Sequence, residues 1–290
     1  PTNFDSSLAW WTNVFPFRLA WQARLTQLRS EKMDAETIAC AGAWQAPELT
    51  VSRWHAELGG GEWRAQGKLN AVTRELIFTN SADFDFHALA GWLPEKARAT
   101  LAKFSWRQPP SLQIAGALIL PAWTNSPLAW RETAQAGLRL NGDLALQKSS
   151  AFSVKLDSAR ARFFYSNQIW KLPDLAVARA NTRLELSGEE NDVTKNFNCH
   201  IHGAFEPELL RPLLPEHAAR GLDHFTLTQP LHLDADICGN GRDADSLGVT
   251  GNLALTNFAV RGQPVDSLFG KFSYTNRVLE FLHTELFRAG

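Results

Sequence analysis

Apolar and polar residues alternate with a period of two over many stretches of the chain. Leu231, Leu233, Ala235 and Ile237 alternate with His232, Asp234 and Asp236; Ala159, Ala161, Phe163 and Tyr165 alternate with Arg160 and Arg162. Leu138 and Leu140 flank Arg139, Leu184 and Leu186 flank Glu185, and Leu175 and Val177 precede Arg179. Successive side chains of an extended strand point to opposite faces, so this spacing predicts strands with one dry and one wet face. Turn residues punctuate the runs at Gly59-Gly60-Gly61, Asn141-Gly142, Ser166-Asn167 and Thr275-Asn276, and short turns favour antiparallel pairing. The pattern breaks at 86–103, which reads as helical. Pro94 has no N–H to give to a helix interior and must start or kink it, and Asp85 stands just upstream, where an acidic residue suits a helix N-terminus. Pro215 and Glu206 take the same places in a second helical piece at 207–224.

The elements recur. A shift of 121 residues carries Val72-Thr73 onto Val193-Thr194, Phe84 onto Phe205, Leu93-Pro94-Glu95 onto Leu214-Pro215-Glu216 and Leu112 onto Leu233. A shift of 109 carries NGDLAL (141–146) onto TGNLAL (250–255), Phe163 onto Phe272 and Tyr165 onto Tyr274. Between these blocks a shift of 126 places Trp44 on Trp170, Pro47 on Pro173 and Val51 on Val177. The chain therefore reads as one β repeat over 1–137 with its helical insertion near 86–103, a second over 138–246 with an insertion near 207–224, and the start of a third over 247–290. Stacked repeats of this kind extend a common apolar face from unit to unit. With one short helix per unit for cover, that face is either closed by a partner layer or left as an apolar groove.

Composition narrows the function classes. Among 290 residues, 29 Lys and Arg stand against 30 Asp and Glu, which provides no basic footprint for nucleic acid or anionic head groups. Two Tyr among many outward Arg fit the aromatic girdles of a membrane barrel poorly. Three cysteines, Cys40, Cys199 and Cys238, make no disulfide framework. No apolar run reaches the length of a spanning helix and no signal peptide opens the chain, which reads as a segment of a longer protein.

Motifs that could carry chemistry have plainer readings. His200 and His202 share a strand face, but their counterparts are Thr79 and Ser81, so the face is simply polar. Asp234, Asp236, Gly239, Asn240 and Asp245 half-match a calcium loop, yet Cys238 holds the fifth place and the first residues belong to an alternating strand. Gly59-Gly60-Gly61 lacks the Lys-Ser/Thr of a phosphate loop, and Cys199 stands where Phe78 does, as a small apolar residue. We expect no catalytic residues, no metal site and no cofactor.

GGGEWRAQGKLN (59–70) after PELTVSRWHAEL (47–58), together with the run 249–290, resembles the AsmA-like proteins of the AsmA/TamB group. The resemblance implies an elongated, twisted, half-open β-sheet with an apolar interior. It further implies a periplasmic location, an inner-membrane anchor outside this segment, and phospholipid transport in support of outer-membrane assembly. Two functions follow as expectations. In the first, phospholipid acyl chains lie on the apolar face, against Leu138, Leu140, Phe163, Tyr165, Leu231, Leu233, Ile237, Phe272 and Tyr274. In the second, a closed structural or adhesive β-repeat buries the same residues and binds no lipid.

Overall fold

The computed structural model describes residues 10–30, 33–122, 134–206 and 223–288. Seventeen strands dominate it: β1 (Arg18–Arg29), β2 (Asp34–Gln45), β3 (Glu48–Leu58), β4 (Gly61–Asn70), β5 (Glu75–Ala82), β6 (Phe104–Trp106), β7 (Ser111–Ile119), β8 (Arg139–Ala151), β9 (Val154–Ser166), β10 (Ile169–Arg179), β11 (Thr182–Asn191), β12 (Asn196–Phe205), β13 (Phe225–Leu227), β14 (Leu231–Asn240), β15 (Asp243–Val260), β16 (Gln263–Thr275) and β17 (Val278–Phe287). They form one antiparallel sheet in near-sequential order, with β5 on β7, β12 on β14, and the short β6 and β13 added on β8 and β15. The sheet is not closed: among the described residues β1 pairs with β2 alone and β17 with β16 alone. The mostly β, antiparallel fold expected from the alternation is the fold observed.

The repeat is a block of seven strands. β3, β4, β5 and β6 begin 121 residues before β10, β11, β12 and β13, and β9 and β10 begin 109 residues before β16 and β17. Turn chemistry repeats with it. Asn70 Oδ1 accepts from the Val72 and Thr73 N–H groups at 3.0 Å, and Asn191 Oδ1 accepts from Val193 and Thr194 at 3.0 and 2.9 Å. Arg74 and Lys195 follow in the left-handed region at φ 63° and 62°. Two expectations are corrected. The shift of 126 fails, because Trp44 lies on β2 and Trp170 on β10, whose counterpart is β3; Trp44 instead matches Tyr165, and both are buried. Asn141-Gly142 is no turn but the interior of β8, where the missing Cβ leaves room for the Phe163 ring.

By compactness the chain divides into Pro1–Ala102, Gln108–Leu146 and Phe163–Gln168 as one unit, and Lys103–Arg107, Gln147–Arg162 and Ile169–Gly290 as the other. Register in the first unit puts Leu49, Leu69, Leu76 and Leu118 on one face with Val51, Gly67, Phe78, Gly116 and Leu140. Where two bulky residues would collide across strands, one is glycine: a Cβ on Gly116 would come within 2.8 Å of the Phe78 ring. One end of this face is sealed. Ala35, Ile38, Ala56, Leu58, Ala82 and Phe84 form a buried cluster, with Trp54, Trp63, Phe86, Ala88 and Leu89 packed against it. The cover comes from a 3-10 helix, Phe86–Trp92, whose cap is Asp85: its carboxylate accepts from the His87 N–H at 3.0 Å. Pro94 then caps α1 (Glu95–Leu101), none of whose residues is buried. Farther along the face Leu76, Phe78, Leu118 and Leu140 are only half-buried.

In the second unit the same rule of register places Phe197, Cys199, Ile201 and Phe205 of β12 beside Ile237, Ala235 and Leu231 of β14 and Leu184 and Leu186 of β11. A buried cluster of Leu255, Phe258 and Val265, with Leu227, Leu231 and Leu268 around it, closes one end. The second helical insertion, expected at 207–224, lies outside the described residues over 207–222.

Candidate functional site

Repeat-equivalent positions in the two units differ in how well they are filled. In the first unit, Trp63, Leu58, Ala56, Ala35 and Phe84 belong to the sealed cluster. A shift of 121 turns them into Leu184, Arg179, Val177, Leu156 and Phe205. In the second unit these five line a cleft of about 200 Å³, together with Ala151, Phe152, Val154, Thr182 and Ala204. Two exchanges leave the space. Leu184 stands in place of the Trp63 indole, and Arg179 in place of the buried Leu58. A guanidinium is too costly to bury alone, so it stays partly solvated and ion-paired to Glu206 at 3.6 Å. Thr182 Oγ1 is satisfied by donating to the Arg179 carbonyl at 2.7 Å. The walls that remain are aliphatic and aromatic. Phe152, on the β8–β9 turn, meets Phe104 edge-on with ring centroids 5.4 Å apart, under the Lys103 ammonium.

Eight of the nine residues nominated from the sequence lie on the apolar face of their unit, and Leu138 stands just before β8. Leu138, Leu140, Phe163 and Tyr165 belong to the first unit, and Leu231, Leu233, Ile237, Phe272 and Tyr274 to the second. Tyr165 is 2% exposed and Phe272 9%, so these two are core positions; the other seven are half-buried. None of the nine lines the cleft. The residues that do were visible in the alternating runs of Leu184 and Val177, but their significance lies in the difference between aligned repeats, Trp63 against Leu184.

The polar faces are also indented. In the first unit a depression of about 920 Å³ is bordered by Arg24, Arg53, His55, Arg64, Gln66 and Asp143 among others. In the second, a depression of about 820 Å³ is bordered by His202, His232, Asp234, Lys271, His283 and Glu285 among others. Several charged groups on these faces pair with one another within the sheet. His200 Nδ1 sits 3.0 Å from Asp236, His202 Nδ1 3.1 Å from Asp234, and the Arg64 guanidinium lies on Glu62. The half-matched calcium loop is a strand followed by a turn, as expected, with Asp234 and Asp236 engaged by these histidines. Among the described residues no three His, Cys, Asp or Glu side chains converge as a metal site.

Cys199 lies half-buried on the apolar face; burial first, and then the Asp236 carboxylate, push its thiol up from the ordinary value. Lys195 is held above its ordinary value by hydrogen bonds to Asp192 and then Glu190, at 2.5 and 3.1 Å. Among the described residues no helix is long and apolar enough to cross a membrane. No family model, no curated protein and no solved structure matches this chain.

Proposed function

We propose that the chain is a non-enzymatic, lipid-binding segment whose apolar sheet face takes up acyl chains, with the cleft around Leu184, Val177 and Phe205 as the best-formed contact. The observation that carries this reading is the cleft itself: apolar walls around about 200 Å³, at a place where the equivalent positions of the first unit are filled. A cavity of about 150 Å³ lined by Leu, Ile and Phe stays dry and accepts a hydrocarbon guest. Each methylene transferred there from water contributes about 0.8 kcal/mol. Arg179 beside the cleft suits the carboxylate or phosphate at the head of such a chain, in competition with Glu206. Seven of the nine nominated residues remain half-buried, which suits continued contact along the face. The resemblance to AsmA-like proteins extends the reading to phospholipid handling in the bacterial periplasm, in support of outer-membrane assembly.

Native mass spectrometry of the purified chain tests the proposal. Co-purified phospholipid or fatty acid is the expected result, lost with Leu233→Asp on the apolar face and retained with Arg160→Ala on the polar face. A clean apo mass that added phosphatidylglycerol and palmitate do not change would favour the closed structural reading, which the sealed cluster of the first unit supports locally. Equal effects of the two substitutions would count against the face as the binding surface.

A further inference from the structure

Among the described residues β17 has no partner on its far edge, yet it is built like strands that have a following partner. β3 and β10 each carry an irregularity where the next strand pairs with them, between Val51 and Trp54 against β4 and between Leu172 and Leu175 against β11. These positions are 121 residues apart, and a shift of 109 carries the second onto Phe281 and Thr284. There β17 has its own register shift, opposite Phe269 to Lys271, with His283 in the left-handed region at φ 49°. The three strands are thus one element of the repeat.

Their environments differ in one respect. Leu172 and Val177 of β10 lie beside Gly188 and Leu184 of β11 and are half-buried. Their counterparts on β17, Phe281 and Leu286, are 51% and 62% exposed. The unpaired N–H and C=O groups of such an edge template the addition of a strand; β17 has no proline or lysine, and between Glu280, His283 and Glu285 it presents the exposed Phe281, Leu282, Leu286 and Phe287.

We infer that β17 is the docking edge for one more antiparallel strand of the β4 and β11 type: an extended segment of alternating apolar residues with a glycine opposite Phe281. The glycine follows from register, since Gly67 faces Val51 and Gly188 faces Leu172. Opposite the larger Phe281 a Cβ would compete with the ring, and a glycine lets the ring lie across the partner backbone. The known pairing of β10 with β11 is the interface that the new strand continues. β1 is no substitute occupant in trans, because its counterpart in the repeat is β8, which pairs with β7 and β6 and not with a β10-type strand. This inference stands apart from lipid binding; it concerns backbone pairing and holds whether or not the face takes up acyl chains.

The probe is a fluorescent peptide of residues 182–191, TRLELSGEEN, titrated into the 290-residue chain by anisotropy and mapped by hydrogen exchange. Saturable binding with new protection confined to 278–287 is expected. Phe281→Lys with Leu286→Lys should weaken it at least tenfold, as should a valine at the peptide's glycine. Both replaced side chains are exposed, and unchanged exchange in β14 verifies that the variant is folded. Absence of binding, protection of β1 instead, or indifference to both changes would overturn the inference. So would a concentration-dependent dimer of the chain that the peptide cannot dissociate and that the double substitution abolishes, because the occupant of the edge would then be a second copy.

Discussion

The sealed cluster around Phe84 and the cleft around Phe205 are the same part of the repeat with different fillings. Both are entered by strands of the same type, and both use a phenylalanine, two residues past the end of β5 in one case and the last residue of β12 in the other, 2% and 6% exposed. In the first unit Trp63 tilts over Phe84 with centroids 6.2 Å apart, and Phe86 meets Phe84 edge-on at 5.2 Å. In the second, a leucine and a partly solvated arginine replace Trp63 and Leu58, and a cleft of about 200 Å³ opens between the side chains. The difference teaches that backbone and alternation specify where an apolar face lies, whereas side-chain volume decides whether it is a core or a binding surface.

The largest effect that can break this comparison is truncation of the two phenylalanines. Phe84→Ala removes a ring with contacts on all sides and should cost about 3–5 kcal/mol in urea unfolding of the first unit. Phe205→Ala enlarges space that already exists, and on the order of 2 kcal/mol is expected. Equal losses would mean that the cleft is as tightly packed as the cluster. Next in size is the attempt to convert one into the other. Leu184→Trp places the indole of Trp63 where the cleft is, and should raise stability by about 1 kcal/mol through added apolar burial while removing any bound lipid from the native mass spectrum. A destabilised, still lipid-bound variant would show that the space is not where the guest resides.

A smaller effect serves as the control, because the two units should not differ in it. Asn70→Ala and Asn191→Ala each remove a carboxamide that holds two N–H groups of the same turn, and each should cost about 1 kcal/mol. Unequal costs would show that the units differ in backbone as well as in filling.

Much of this fold was legible because its signals are local. Period-two alternation located the strands, and the 121-residue shift carried Asn70 to Asn191 with their hydrogen bonds unchanged. Asp85 and Pro94 marked the start of the 3-10 helix and of α1 where each stands. The errors came where a local signal was overruled by its surroundings in the sheet. Asn141-Gly142 has turn chemistry, but the Phe163 ring on the adjacent strand needs the glycine's empty side, so the pair continues β8. The 126-residue shift followed the eye-catching Trp44 and Trp170, yet burial aligns Trp44 with Tyr165, since the repeat conserves a filled position and not an indole. The cleft is not legible in the sequence for the same reason. Its existence depends on the volume lost between Trp63 and Leu184, which no single alternating run reveals, and on the cost of burying Arg179.

The finest probe of the comparison is chemical and leaves the packing intact. Cys40 and Cys199 occupy equivalent apolar faces of the two units, each half-buried, whereas Cys238 is exposed on the polar side. The attacking species is the thiolate, and the raised value of Cys199 means that less of it exists at a given pH below that value. Alkylation by iodoacetamide at pH 8 should therefore modify Cys238 first and Cys199 later, with the gap narrowing as pH rises through the shifted range. If acyl chains occupy the apolar face, adding palmitate should slow Cys199 further and leave Cys238 unchanged, because the guest covers one side of the sheet only. The first unit supplies the internal standard. Cys40 lies between the Trp54 and Ala23 strands, on the face whose end is already sealed, so palmitate should alter its rate less than that of Cys199. Equal protection of Cys40 and Cys199 would place lipid on both faces alike and remove the distinction between filled and unfilled repeats. Protection of neither would confine binding to the cleft or dispense with it. The native mass spectrum of the Leu184→Trp variant then separates those two outcomes, because only a cleft guest disappears when the indole takes its place.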